Sequence, residues 1–319
     1  MTPRNWRPHI LVFVDEVERR LDLIRFAAWF SQGRGVVTVC ELVVGDLLIE
    51  EIPILEAQGR IQRTLDREQL VAFGEVDVVR DIVSGITDVA QANGIASLDS
   101  NTILLGWPRD AARTVEFLHV VRRLARIGKS VIIGRIQPGL IPRERQERVI
   151  HVWWGGLKHN SDLMLLLAHL VTRNPEWRHA RIRILSMASN EHMKASTERY
   201  LEELVPAIRI SADVEVMMRP KDRTIREIIN AESAEADIVF LGLEPPEEEA
   251  HLEAYAERMV ELSARLRTVF FVKNASLFVG RLMQTVDEVA APEEPAEREP
   301  VARLAWNAPV PPVLRRRRA

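Results

Sequence analysis

Two apolar, strand-like runs of this chain end in residues that could meet an anionic ligand. Ile10–Val14 runs into Asp15, and Thr102–Gly106 runs into Trp107, Pro108 and Arg109, with Arg113 one helical turn further on. Arg109 and Arg113 carry planar, fork-shaped donors that match a phosphate. Asp15 is a carboxylate able to accept from a hydroxyl or a ring N–H. In open parallel sheets ligands bind beyond the carboxyl ends of the strands, where strand order reverses. A crevice of Asp15, Gly106, Trp107, Arg109 and Arg113 is therefore the candidate cofactor site, with a phosphate-bearing nucleotide as the candidate occupant. A matching run in the second half, Asp237–Gly242, is followed by Glu244, Glu247, Glu248 and Glu249. Four carboxylates facing a crevice repel a polyphosphate, so if one half binds a nucleotide it is expected to be the first. The glycines that usually cradle phosphate are missing from both places, and an empty crevice with solvated arginines is the competing expectation.

Other chemistry finds little support. The eight histidines include His151, His159, His169, His179 and His192, scattered over a strand, a turn, a helix and loops without metal-ligand spacing. Cys40 is the only cysteine and stands in the apolar run that begins at Val36, where it reads as a small buried hydrophobe. One cysteine excludes an intrachain disulfide. No Gly-x-Ser-x-Gly elbow, HExxH helix or Cys/His pair supplies a nucleophile or metal, so no enzymatic activity is expected. A net charge of −3 gives no sign of a nucleic-acid partner.

The elements that must position these residues follow from alternation. Short β-branched runs alternate with longer amphipathic segments, the pattern of parallel strands with helical crossovers. The strands fall into two sets of five: Ile10–Val14, Val36–Leu42, Val76–Val79, Thr102–Gly106 and Ser130–Gly134, then Ile150–Trp154, Arg181–Ser186, Val214–Met218, Asp237–Gly242 and Thr268–Val272. Corresponding strands lie about 140 residues apart, the mark of a duplicated unit. The expected fold is α/β, with two tandem Rossmann-like units of five mainly parallel strands flanked by helices. The expected boundaries are 1–135 and 149–285, a linker at 136–148 and an unfolded tail at 286–319. One large doubly wound sheet is the alternative. The apolar fifth strands, Val131–Ile133 and Val269–Val272, are expected as sheet edges that need cover, from the other half or from a partner chain. No apolar run reaches membrane-spanning length. The tail ends in Arg315–Arg318; contact with anionic lipid is conceivable there, and a solvated tail is the better reading.

One stretch is more particular than its pattern. Val152-Trp153-Trp154 on a strand, a turn with Gly155 and Gly156, a Leu-rich helix and the later Trp177 follow in order. Upstream stand Asn5-Trp6-Arg7-Pro8 and the segment from Asn101 to Pro108. In this order they resemble the cytosolic C-terminal domain of prokaryotic-type cation-chloride cotransporters, within the amino acid-polyamine-organocation superfamily. Each half also resembles the universal stress protein fold. The cotransporter resemblance implies a regulatory and dimerising domain at the cytoplasmic face of the cell membrane, attached to a transport domain upstream that is not in this chain and that moves chloride electroneutrally with a cation. It implies a homodimer as the working state. The stress-protein resemblance implies Asp15 as the contact to ribose or base in any bound nucleotide. It also supplies the alternative function, a soluble tandem sensor of ATP.

Overall fold

The computed structural model describes residues 7–95, 98–108, 110–138, 148–155 and 160–275. The expected tail, most of the expected linker, Trp6, Arg109, Gly156 and His159 lie outside these residues. Every strand read from the sequence is present. The first half holds β1 (Ile10–Val14), α1 (Leu21–Ser31), β2 (Val37–Val44), α2 (Ile54–Arg67), β3 (Phe73–Val79) and α3 (Ile82–Ala92). A two-residue ribbon, β4 (Gly94–Ile95) and β5 (Leu98–Asp99), precedes β6 (Thr102–Gly106), α4 (Ala111–Arg126) and β7 (Ser130–Arg135). The second half repeats the plan with β8 (Val149–Trp153), α5 (Asn160–Thr172), β9 (Arg181–Ala188), α6 (Glu191–Ala207), β10 (Asp213–Met218), α7 (Ile225–Glu232), β11 (Ile238–Gly242), α8 (Leu252–Ser263) and β12 (Val269–Lys273).

The strands form one ten-stranded sheet in the order β10-β9-β8-β11-β12-β7-β6-β1-β2-β3. Each half is a five-stranded parallel sheet whose order reverses beside its first strand, as the repeated alternation requires. The expectation of two separate sheets is corrected at the middle. β7 and β12 pair antiparallel, with Phe270 opposite Gly134 and Phe271 opposite Ile133. The fifth strands are therefore the seam, and the outer edges are β3 and β10. The physical reason is the one that made those strands conspicuous: an apolar edge leaves a row of unmet N–H and C=O groups, and pairing the two edges satisfies both.

Both faces of the sheet are covered. One core takes α1, α2, α5 and α6, and the other takes α3, α4, α7 and α8. Trp153 packs into the second core and Trp154 into the first, as alternation along a strand demands. The halves meet on both faces, through α1 against α5 and α4 against α8. At the first meeting Phe26, Phe30, Phe240, Phe270 and Trp177 are fully buried in one aromatic cluster, with Phe26 and Phe270 ring centroids 4.7 Å apart. A Cβ on Gly134 would stand 2.7 Å from the Phe270 ring, so only glycine lets that ring lie across the seam. Each such ring contributes roughly 1.5–3 kcal/mol by burial. The seam is accordingly core, and no domain boundary runs through it.

Candidate functional site

The carboxyl end of β1 delivers Asp15, and the adjacent end of β6 delivers Gly106 and Trp107. The following helix α4 delivers Arg113. All four line one crevice of about 580 Å³, placed where the strand order reverses. Sequence reasoning grouped these four, which the structure also places around one cavity, while Arg109 lies outside the described residues. It missed Arg20, which lines the same crevice. Arg20 Nε donates to Asp15 Oδ1 at 2.7 Å and its Nη2 to Oδ2 at 3.1 Å. These bonds hold the Asp15 carboxyl down at about 2. A Cβ on Gly106 would meet the Arg20 guanidinium at an ordinary 3.6 Å, so that group covers the end of β6.

The start of α4 is occupied in the same manner. Asp110 caps the helix, its Oδ1 accepting from the Arg113 backbone N–H at 2.8 Å. A carboxylate thus takes the place at the helix N-terminus where an anionic ligand would be favoured. The Arg113 side chain turns to Glu116, 2.9 Å away. Trp107 stacks on Phe271 of the other half, with centroids 5.5 Å apart and rings 29° from parallel. Among the described residues the crevice carries Asp15 and Asp110 against Arg20 and Arg113, each engaged with another of the set or with a neighbour.

The equivalent crevice of the second half has about 390 Å³ and a different lining: Trp153, Trp154, Met164, Met187, Tyr255 and Phe271 among others, with Arg258 as the charged group among the described residues. The expectation of an acidic lining is overturned. Neither Glu244 nor Glu247, Glu248 or Glu249 lines it. Glu244 accepts from Lys273 Nζ at 2.5 Å. Glu249 reaches the first half, 2.9 Å from His119 Nε2 and 3.3 Å from Arg122 Nη1. Because α8 packs on α4, the segment that enters α8 is carried over the first half, and its acids serve the junction.

A larger cavity of about 850 Å³ lies between α3 and strands β2 and β3, lined in part by His9, Glu75, Asp77, Asp88 and Ser100. Its acids repel phosphate, and they form no group of three or more metal-ligating side chains among the described residues. Asn93 Nδ2 donates to Glu75 at 3.1 Å, and the buried Cys40 thiol donates to Asp77 at 3.3 Å. Burial first, then the neighbouring Asp77, raises the pKa of Glu75. The same causes push the Cys40 thiol far up, so it is no nucleophile. His151 is engaged likewise, its Nδ1 3.0 Å from Ser233 Oγ, which also accepts from Trp153 Nε1 at 3.0 Å.

The second half also carries the sequence stretch that resembled a transporter family. Residues 136–232 match the family model of solute carrier family 12. The resemblance read from the Trp-Trp strand, the Leu-rich helix and Trp177 therefore holds. The fold agrees with it. The chain is similar to the cytoplasmic domain of a prokaryotic cation chloride cotransporter, at 17% identity and a TM-score of 0.61, over 85% of this chain and 98% of that one. It is also similar to a universal stress protein from Archaeoglobus fulgidus, at 17% identity and a TM-score of 0.51, over 83% and 96% of the two chains. A putative universal stress protein from Pseudomonas aeruginosa matches at 12% identity with a TM-score of 0.51, over 84% and 94%. Family match and fold match converge on the cytosolic part of a solute carrier family 12 transporter as what this chain resembles. No helix among the described residues is long and apolar enough to cross a membrane.

Proposed function

We propose that this chain is the cytosolic regulatory and assembly domain of an electroneutral cation-chloride cotransporter, and that it has no catalytic role of its own. The observation that carries the reading is the solute carrier family 12 match over residues 136–232 on a fold like that of a cotransporter's cytoplasmic domain. The chemistry of the crevices agrees with it, since their polar groups are engaged within the protein. The ion path then belongs to a membrane domain encoded upstream, and this domain biases the transporter's conformational equilibrium through assembly. The test is the upstream reading frame, where about twelve apolar spans of membrane length are expected. Chloride-dependent rubidium uptake by cells expressing the full frame should follow. A frame that begins at Met1 with no spans upstream would sink the proposal and favour a free-standing sensor.

The domain works as a homodimer in this reading. Among the described residues both outer strands, β3 and β10, end the sheet without a further strand partner, and the β2–α2 connection with the start of α2 exposes Leu48 (94%), Ile49 (81%) and Leu55 (84%). Large apolar side chains left bare together favour association, and two-fold symmetry is the commonest way to satisfy them. Light scattering on the domain should give twice the chain mass. A monomer mass at roughly tens of micromolar would argue against it.

A further inference from the structure

The strongest unassigned feature is a cluster of cations on the second half, at the end of the sheet opposite its crevice. α5 ends at Thr172, and α6 ends at Ala207; the strands that follow them, β9 and β10, pair side by side. Their neighbouring starts therefore bring Arg209 up to a sequence-local group of arginines. Arg173, Arg178, Arg181 and Arg209 line one cavity of about 440 Å³ there, with His179 beside them and Asp213 as the carboxylate in the lining. Among the described residues, none of these four guanidinium groups has a carboxylate within ion-pair distance. That sets them apart from Arg25, Arg183 and Arg267, each of which lies 2.5–2.7 Å from a glutamate. Arg173 and Arg209 follow helix C-termini, where the helix dipole welcomes a cation. The dipole gives no account of Arg178 and Arg181, which converge on the same space from a turn and a strand.

The first half shows the same corner with its charges matched. Gln69 and Arg209 follow α2 and α6 in the same left-handed conformation, at φ 56° and 57°. The next residue in each closes the same bond back into its helix, Leu70 N–H to Leu65 O at 2.9 Å and Ile210 N–H to Val205 O at 3.4 Å. In the first half the position before Gln69 is Glu68, which meets Arg25 at 2.7 Å. In the second half Ile208 stands there, the acid is gone, and Arg209 replaces the uncharged Gln69. The repeated backbone is the same, while the charges are matched in one copy and gathered with one sign in the other.

We infer that the cavity between the ends of α5 and α6 binds a phosphorylated anion. Four guanidinium forks against one carboxylate call for an anion carrying several charges and several acceptor oxygens, which a phosphoester or polyphosphate supplies and a lone carboxylate does not. The cavity has the size of a small-ligand site. The phosphate can belong to a free polyphosphate or to a phospholipid headgroup, and the two sources separate experimentally. Inorganic tripolyphosphate is titrated by calorimetry into the full chain at fixed moderate salt. Sedimentation with vesicles of phosphatidylcholine, with and without phosphatidylglycerol, is measured alongside. The test variant is Arg178→Gln, Arg181→Gln, Arg209→Gly, with glycine chosen because it accepts the left-handed conformation. The control is Arg63→Gln, Arg126→Gln, Arg199→Gln, which removes equal charge from exposed positions elsewhere. The expected result is binding weakened about tenfold or more in the test variant and little changed in the control, with both variants melting near the wild type. Loss in the tripolyphosphate arm alone assigns a free phosphate compound, and loss in the vesicle arm alone assigns a lipid headgroup. Absence of binding in both arms, or equal weakening by test and control variants, overturns the inference.

Discussion

The two halves of this molecule agree in the strands of the main sheet and diverge at the strand ends. In the first half the reversal point is filled by Asp15 and Arg20, with Asp110 on the adjoining helix. In the second, the same place is lined by Trp153, Trp154, Met164 and Tyr255. At the opposite end of the sheet the first half matches Glu68 with Arg25, whereas the second gathers four arginines. The backbone ladder depends on β-branched runs and on the direction of pairing, which constrain residues inside the sheet. Residues just beyond a strand contribute little to the ladder and are free to acquire different chemistry. A duplicated fold therefore says where a site can be, and each copy's own side chains say which ligand it suits.

The largest expected effect tests whether the halves are separable at all. Phe270 is fully buried on the seam strand and touches Phe26 and Phe30 of one half and Phe240 of the other. Phe270→Ala should cost about 3–5 kcal/mol, since a large ring leaves a cavity that the seam cannot close. Urea unfolding, followed by far-ultraviolet circular dichroism and by tryptophan fluorescence, should show one shifted transition for both probes. Two separated transitions in the wild type would mean that the halves fold independently, and the fused sheet would lose its energetic meaning.

A second test uses a group that the first half lacks. His151 sits on β8 where Leu11 sits on β1, and burial, with Arg183 nearby, depresses its pKa to about 4. The folded chain thus keeps the imidazole neutral, while the unfolded chain takes up a proton below its ordinary value of 6.5. Stability from this source is complete above that value and is lost as pH falls toward 4. The loss should amount to about 3 kcal/mol at pH 4. His151→Gln should flatten the dependence between pH 7 and pH 4 while lowering stability at neutral pH. An equally steep wild-type and variant profile would assign the acid sensitivity to carboxylates.

What was legible in the sequence divides along the same line. Ile10–Val14 and Thr102–Gly106 were read to the residue, and the other eight strands to within a few, because a run of apolar β-branched residues between turns carries its own signal. The crevice set Asp15, Gly106, Trp107 and Arg113 was legible from topology alone. The β7–β12 pairing was not, since which edge a strand finds is decided by the whole fold. Arg20 could have been suspected from its place at the start of α1, close after Asp15, and Asp110 from its position as a helix cap. The arginine cavity left only part of its trace in the sequence, Arg173, Arg178 and Arg181 standing within nine residues of one another and Arg209 far from them. Arg173 and Arg209 are distant in sequence and become neighbours only when β9 and β10 pair.

The smallest expected effect concerns the first crevice, where stability and binding should respond differently. The Asp15–Arg20 pair is about one-third exposed on each side, so Arg20→Ala should change unfolding free energy by less than about 1 kcal/mol. Because the folded Asp15 pKa lies below its ordinary value of 3.8, near 2, the pair's contribution is complete above pH 4 and fades as pH falls toward 2. Calorimetric titration of ATP at neutral pH then separates two roles for Arg20. If the guanidinium fills the crevice in place of a ligand, wild type and Arg113→Glu should both show no measurable binding, and Arg20→Ala should gain none or only weak binding. If the crevice is a working nucleotide site, wild type should bind, and Arg113→Glu should weaken that binding by about tenfold or more through loss of a cation and gain of a repelling carboxylate. The first outcome is expected, because a carboxylate already caps α4 and Arg20 of the chain itself already meets both Asp15 oxygens.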